Sequence, residues 1–493
     1  MQILRSSSAL KRFALLLTLL APAILAACAP GGDQSTFDSA GPIAKDQENI
    51  FIFIFWLAVV VFVVVEAALI YSIFRFRQTR PDAEMPTQTH GNFKLEIAWT
   101  IAPVFVLVAI AIPTVTLIFD HEKGPVDGRV PENPLEINAV AHQWWFEFEY
   151  PGQDVITANE LHIPIDRAVR VSLDSDDVIH SFWVPKLAGK VDMIPGDDNV
   201  MFIQADRVGT FIGQCAEFCG EAHANMRFRV VSHEPDDYED WLDSMRRAPA
   251  PIVDNPLAEA GRTLFAQNCS TCHSTRTYEP LRAQGEREVQ LGRQTLFRKA
   301  VKRDEEGIKT REGDLVTLIS APNLTHLAAR QTFAAGIIEL TEENLKKWIR
   351  DPDDIKQGNR MKDLAPIYND PALWLSDEEV DQLAAYLMTL KPGPEEAVET
   401  AGTVEVDPIA QGREVFLNNG CSACHSTGAD RVVGPGLSGL ADKSSTDMIR
   451  ESITDPGAVV TDGFPDGVMP GNFGSVISDN DLNALIQYLE TLK

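Results

Sequence analysis

Two apolar runs, residues 50–74 and 97–119, constrain this chain more than any other feature. Each exceeds the roughly 20 residues a helix needs to cross a bilayer. In hydrocarbon every backbone N–H and C=O must be satisfied within its own segment, so both runs can only be helices. The loop between them carries Arg75, Arg77, Arg80 and Lys94, whereas residues 29–49 hold only Lys45. Basic loops stay on the cytoplasmic side, which predicts residues 75–96 inside and both ends of the chain outside. Glu66 lies within the first run, and because a lone acid in lipid is costly it is expected to face protein or water. Two helices provide no ion pathway of their own, so the chain requires a larger membrane partner. Ahead of the hairpin, Arg5, Lys11 and Arg12 precede an apolar stretch that ends Leu-Ala-Ala-Cys28. That is a secretory signal of the bacterial lipoprotein kind, and it predicts cleavage after residue 27 and lipidation of Cys28.

Beyond the hairpin, residues 215–226 read Cys-Ala-Glu-Phe-Cys-Gly-Glu-Ala-His-Ala-Asn-Met. Cys215, Cys219, His223 and Met226 are soft or borderline metal ligands, and His180 lies upstream in Asp-Asp-Val-Ile-His-Ser-Phe-Trp-Val-Pro. Thiolate, imidazole and thioether together make a copper set. One thiolate with two His and a Met would give a mononuclear site, and two thiolates on one loop can bridge two coppers. Residue types alone leave open a disulfide between the two cysteines or a zinc site with both histidines. Neither of those readings uses Met226.

Cys269-Ser-Thr-Cys272-His273 and Cys421-Ser-Ala-Cys424-His425 are both Cys-x-x-Cys-His, the signature of covalent haem attachment with the His as proximal ligand. Each sits in a repeat. Gly261-Arg262 and Gly412-Arg413 open a helix with a Phe just before the motif, and Ser376 and Ser478 start closing helices of equal length that agree at half their positions. A methionine as sixth ligand gives the high potential of an electron carrier. Met361 is the candidate in the first domain, with His326 as its rival. Met469 is the candidate in the second, where Met448 reads as core filler within a helix. A charged insertion, about 276–318, separates the first motif from Pro322-Asn323-Leu324 and reads as a surface elaboration.

All 7 cysteines thus have roles: one lipid anchor, two copper ligands and four haem thioethers. The net charge of −28 disfavours nucleic acid and suits a basic partner such as a soluble cytochrome c.

Residues 91–226 resemble subunit II of haem-copper cytochrome c oxidases with its dinuclear CuA centre. The resemblance rests on Leu-Glu-Ile-Ala-Trp-Thr-Ile-Ala-Pro (95–103), Ala-His-Gln-Trp-Trp-Phe-Glu-Phe-Glu-Tyr (141–150), His-Ser-Phe-Trp-Val-Pro (180–185), Asp-Met-Ile-Pro-Gly (192–196) and the 215–226 run. It implies that His180, Cys215, Cys219, His223 and Met226 ligate copper with the Glu217 carbonyl, and that the Glu217 carboxylate faces a magnesium shared with the catalytic subunit. Trp144 would be the electron entrance, and Glu96 would lie at the mouth of a proton path into catalytic subunit I. Both haem segments resemble class I cytochromes c.

The resulting fold class is multidomain: a two-helix transmembrane hairpin, an all-β cupredoxin-like Greek-key sandwich and two all-α cytochrome c domains. The expected boundaries are signal 1–27, tether 28–49, hairpin 50–119, copper domain 121–235, helix and linker 236–256, first cytochrome domain 257–391, linker 392–408 and second cytochrome domain 409–493. Both linkers read as semi-extended, which leaves the domain arrangement adjustable. By the resemblance, electrons from a periplasmic cytochrome c or other donor pass through two haems c and CuA to the catalytic subunit, which reduces dioxygen with proton translocation. The implied setting is the bacterial cytoplasmic membrane, among other oxidase subunits, with the C-terminal domains on the outer face. The alternatives are the input subunit of a CuA-containing nitric oxide reductase and a membrane-tethered electron shuttle.

Overall fold

The computed structural model describes the chain apart from residues 1–31, 79–84, 126–130, 276–302, 309–320 and 395–407 and positions 86, 89, 198, 271, 274, 305–306, 420, 432, 465–466, 470, 472 and 493. The signal segment with Cys28, most of the charged insertion and most of the second linker lie outside the described residues.

The apolar runs form helices Pro42–Phe76 and Phe93–Lys123, each longer than its hydrophobic stretch. The first extends back through Ile43 and Ala44, which are buried because the N-terminal turn docks on the sandwich: Ala40 N–H donates to the Lys186 carbonyl (2.7 Å). Along their apolar stretches both helices expose large side chains such as Phe62, Val64, Phe105 and Leu107, as lipid-facing helices do. Asn92 caps the second helix by accepting from Lys94 and Leu95 N–H, and Glu96 reaches back to the Asn92 N–H (3.2 Å). Glu66 sits on the first helix, partly covered.

Ten strands follow, β1 (Leu135–His142) to β10 (Arg227–His233), in two five-stranded sheets. One sheet runs β3 (Val155–Ala158), β2 (Trp145–Tyr150), β1, β5 (Val169–Ser175), β8 (Asn199–Ile203). The other runs β4 (Glu160–Pro164), β10, β9 (Gly209–Cys215), β6 (His180–Trp183), β7 (Lys190–Met193). Burial alternates along β5, the period-2 pattern of a strand with one face in a core. Phe146, Phe148, Phe182 and Phe228 fill the space between the sheets, with Phe182 and Phe228 rings 4.6 Å apart. Gly213 pairs with Phe228 across β9 and β10, and a Cβ there would lie 2.2 Å from the Phe228 ring.

Helix Pro235–Arg246 packs its Tyr238 and Leu242 onto the sandwich. The expected linker then pairs with the residues that leave the first cytochrome domain. Ala250 N–H donates to the Lys391 carbonyl, and Gly393 N–H donates to the Ala248 carbonyl (both 2.9 Å). This join is therefore tied down rather than adjustable.

The two helical domains share one scaffold. In the first, helix Pro256–Asn268 crosses helix Asp377–Leu387; in the second, Pro408–Asn418 crosses Asp479–Glu490. A Cβ on Gly261 would lie 1.8 Å from the Gln382 carbonyl oxygen, and one on Gly412 would lie 1.9 Å from that of Ala484. Glycine at each crossing lets the helices touch backbone to backbone, with Phe265 on Tyr386 and Phe416 on Tyr488 at the same 58° ring angle. Ser376 and Ser478 cap the closing helices, the first in a full capping box with Glu379. Met448 does lie in a helix, Thr446–Thr454, but on its exposed face, so it is not core filler. Its neighbours Ile449 and Ile453 fill the core instead.

Gly261→Ala is expected to push the crossing apart and destabilise the first cytochrome domain by roughly 1–3 kcal/mol, the usual cost of overpacking. Thermal unfolding followed in that domain's haem absorbance checks this, and an unchanged midpoint would refute the close crossing.

Candidate metal and haem centres

β6, β9 and β10 meet at one end of the second sheet. His180 opens β6, Cys215 closes β9 and Met226 immediately precedes β10, so the sheet sets three donors. The loop 216–225 returns the others to the same point. His180 Nδ1 lies 3.8 Å from Cys215 Sγ, which lies 3.7 Å from Cys219 Sγ. His223 Nδ1 stands 3.5 Å and Met226 Sδ 3.8 Å from Cys219 Sγ. The Glu217 carbonyl faces Cys215 Sγ at 3.2 Å. The sulfurs are too far apart for a disulfide, whose bond is about 2.05 Å. His180, Cys215, Cys219 and Met226 are all buried.

Two thiols this close cannot ionise independently. Hydrogen bonding from Cys219 holds Cys215 far below the usual thiol range, and the Cys215 sulfur in turn drives Cys219 far above it. Two thiolates in so small a pocket would need cations to balance them. Thiolates, imidazoles and a thioether suit copper, and the paired sulfurs suit two ions, so the residues present fit a dinuclear copper centre.

Asp177, outside the ligand run, also belongs to the site. Its Oδ1 meets His180 Nε2 at 2.8 Å, and its Oδ2 accepts from the Gln143 N–H at 2.6 Å. Burial would lower the His180 pKa, but the bonds to Asp177 and Cys215 outweigh it and raise it. By occupying Nε2, Asp177 leaves Nδ1 to the metal. Gln143 and Trp144 both donate to the Cys219 carbonyl, at 2.8 and 3.0 Å. Trp144 therefore lies one hydrogen bond from a candidate ligand. The Glu217 carboxylate is half-exposed and pairs with Lys190 at 3.8 Å. Glu96 is far along the chain from this cluster, in the first turn of the second long helix.

Both haem motifs follow the same logic. His273 Nδ1 donates to the Pro322 carbonyl (2.8 Å) and His425 Nδ1 to that of Pro435 (2.9 Å), leaving each Nε2 for iron. Gly434 lies against the His425 ring, where a Cβ would come within 2.6 Å. These residues fit covalent haem. Met361 lies in the first turn of helix Arg360–Leu364, capped by Asn359, whose side chain accepts from its N–H, and Met469 is half-buried. His326 is committed elsewhere: its Nε2 donates to the Arg247 carbonyl (2.9 Å), and burial pushes its pKa down to about 4.

The first cytochrome domain sits on the copper domain. Buried Glu160 accepts from Gln331 N–H (3.0 Å), Thr332 N–H (2.7 Å) and the Thr332 hydroxyl (2.8 Å). Buried Lys356 donates to the Trp144 carbonyl. Burial pushes that ammonium down to about 7. Arg360 reaches Gln143 Oε1 at 3.4 Å.

Family models match throughout this architecture: "Cytochrome C oxidase subunit II, transmembrane domain" over 32–117, its "periplasmic domain" over 153–233, and "Cytochrome c" over 258–391 and 409–493. Cytochrome c oxidase subunit 2 of Alkalihalophilus pseudofirmus is 34% identical over 369 residues, covering 74% of this chain and 94% of the relative. The chain belongs to the cytochrome c oxidase subunit II family. The subunit 2 of Bacillus subtilis is 33% identical over 388 residues, covering 76% of this chain and 97% of the relative. The solved periplasmic domain of subunit II of cytochrome oxidase from Bradyrhizobium japonicum is 30% identical and covers 24% of this chain and 96% of its own, with a TM-score of 0.23. This subunit II is thus the electron-transfer subunit of a haem-copper oxidase, working with other oxidase subunits in a membrane complex. Its cytochrome domains imply haem c, and its family implies CuA copper.

Asp177→Asn is expected to weaken copper binding 10–100-fold, the usual effect of losing a group that orients a ligand. Competition with a copper chelator measures it, and unchanged affinity would remove Asp177 from the site. A second expectation concerns acid. Burial raises the Glu160 pKa, but hydrogen bonds from His162 and Thr332 outweigh it, and the net value is lowered. Its contribution to the domain contact is therefore complete at neutral pH and is lost as pH falls through that lowered value. Glu160→Gln should remove this acid dependence from the thermal unfolding of the first cytochrome domain.

Proposed function

We propose that this subunit II carries electrons from a soluble donor to its catalytic partner through two covalently attached haems c and one dinuclear CuA centre. The observation that carries the reading is the convergence of the Cys215 and Cys219 sulfurs with two imidazole Nδ1 atoms and a thioether, in a chain that also holds two Cys-x-x-Cys-His motifs. Bound copper and haem supply the one-electron chemistry; the residues supply position, burial and charge.

His180, Cys215, Cys219, His223, Met226 and the Glu217 carbonyl would hold the two coppers. Cys269 and Cys272, and Cys421 and Cys424, would anchor the haems; His273 with Met361, and His425 with Met469, would hold the irons. Trp144 offers its indole beside the Cys219 carbonyl as the electron entrance. The Glu217 carboxylate faces the catalytic subunit and a shared magnesium. The basic loop 75–96 lies in the cytoplasm, the C-terminal domains on the outer face, and Cys28 bears a lipid after signal cleavage. Glu96, at the cytoplasmic end of its helix, collects protons for the catalytic subunit, which couples oxygen reduction to proton translocation.

Metal and haem analysis of the purified complex tests the reading. Two coppers and two haems c should be found per chain in this subunit, and zinc or a single copper in the CuA site would falsify it. Met226→Leu should shift the copper potential and preserve the dinuclear signal, because a thioether is a weak ligand. Glu96→Gln should leave metal content and electron uptake unchanged and slow steady-state oxygen reduction. Full turnover in the assembled Glu96→Gln complex would reduce Glu96 to a helix-start acid stabilised by the dipole.

A further inference from the structure

Electron-transfer domains often meet their donors in brief, wet encounters with charges at the rim. The contact between the first cytochrome domain and the Gln143–Trp144 turn is of another kind. Lys356 is only 5% exposed, and its ammonium is spent on a backbone carbonyl, that of Trp144. Gly358 lies against Glu221, where a Cβ would come within 2.6 Å of the Glu221 side chain. Arg360 reaches Gln143, and the next residue is Met361. At the other edge, Glu160 is 2% exposed and takes its hydrogen bonds from Gln331 and Thr332, while Arg229 donates to the Gly336 carbonyl (2.9 Å). Both charged groups are buried and hydrogen-bonded across the contact rather than solvated at its rim. The linker bonds between 248–250 and 391–393 hold the domain at its root as well.

We propose that Lys356, Arg360 and Glu160 seat the first cytochrome domain on the Trp144 turn as its standing occupant, so that the second cytochrome domain is the docking face for a soluble donor. The inference rests on the direction of electron flow proposed above. The second domain is placed for this task. Its haem-attachment helix Cys421–Cys424 packs on helix Pro256–Asn268, which ends beside Cys269, and Ala266 of that helix is buried with Phe416 in the second domain's core. On the second domain, Val433 and Val468 are 52% and 47% exposed, the one beside Gly434, which lies against His425, and the other beside Met469. Residues 409–493 carry more than twice as many acidic as basic side chains. Exposed valines beside Gly434 and Met469, on a domain of net negative charge, fit a small basic haem protein, with steering by charge and adhesion by the valines. In the exchange the reduced donor loses one electron and this chain gains it; no bond forms or breaks, and no proton moves.

The test uses the full-length subunit in the purified complex. Hydroxyl-radical footprinting should find Trp144 protected, and Lys356→Glu/Arg360→Glu should raise its labelling at least ten-fold. Equal labelling in both proteins overturns the seating. Next, a prereduced basic soluble cytochrome c is mixed with Cys421→Ala/Cys424→Ala complex. Copper reduction by the cytochrome should fall at least ten-fold, while dithionite still reduces the copper. Undiminished reduction by the cytochrome overturns the second domain as docking face. Because loss of that haem can unsettle its domain, Val433→Lys/Val468→Lys provides a second reading. It should keep both haems and raise the KM for the basic cytochrome several-fold; an unchanged KM counts against the face. Footprinting needs no turnover, so failed seating is distinguishable from failure of the electron-transfer reading, which metal and haem analysis of the same preparation exposes.

Discussion

Two sulfur atoms 3.7 Å apart in a buried pocket set the terms for the copper domain. Neither thiol can take its ordinary ionisation there, since each one's charge is settled by the other. Everything around them fixes that closeness. β9 ends at Cys215, the loop turns back so that Cys219 faces it, and β10 begins just after Met226. The Cys215 N–H even donates to the Met226 carbonyl (2.9 Å), closing the loop at its base. The phenylalanine cluster between the sheets holds the three strands in register, and Gly213 opposite Phe228 gives that ring its room. The sandwich therefore works as a rigid frame whose rim presents metal donors already in position.

The helical domains reach comparable rigidity by a different route. Each is small, and its first and last helices touch at a glycine where the backbone of one rests on the carbonyl of the other. The aromatic pair beside each crossing fixes the angle, and a proline carbonyl fixes each haem-motif histidine ring. The same solution appears twice in one chain, which is why the repeat is visible both in sequence and in three dimensions.

What was legible in the sequence follows from how locally each feature is determined. Cys215, Cys219, His223 and Met226 share one loop, and the haem motifs are pentapeptides, so residue type and spacing suffice. The membrane helices and strands β1 and β10 were readable from hydrophobic length and period. Asp177 could have been found, since an acid three residues before His180 is a common way to orient an imidazole. Lys356 and Glu160 could not: their partners, Trp144 and Thr332, lie 212 and 172 residues away, and nothing in the local pattern distinguishes them from solvated charges. Met448 turns outward rather than into the core, because helical period reveals a helix without always revealing which face a methionine takes. The adjustable first linker was misread for a similar reason, since Pro and Ala between domains look loose until their pairing partner beyond residue 390 is known.

That pairing gives the first cytochrome domain the architecture of a cassette. The chain leaves the copper domain at Ala248 and returns at Gly393 to within a hydrogen bond of where it left. Entire removal of the intervening domain would require only a short splice, with no rerouting of the chain on either side. A gene encoding a shorter subunit could acquire such a unit in one step, or lose it in one, with the chain path of the copper domain unchanged. Tension applied between the membrane helices and the C-terminus would likewise pass through the paired segments 248–250 and 391–393, bypassing the domain they close off.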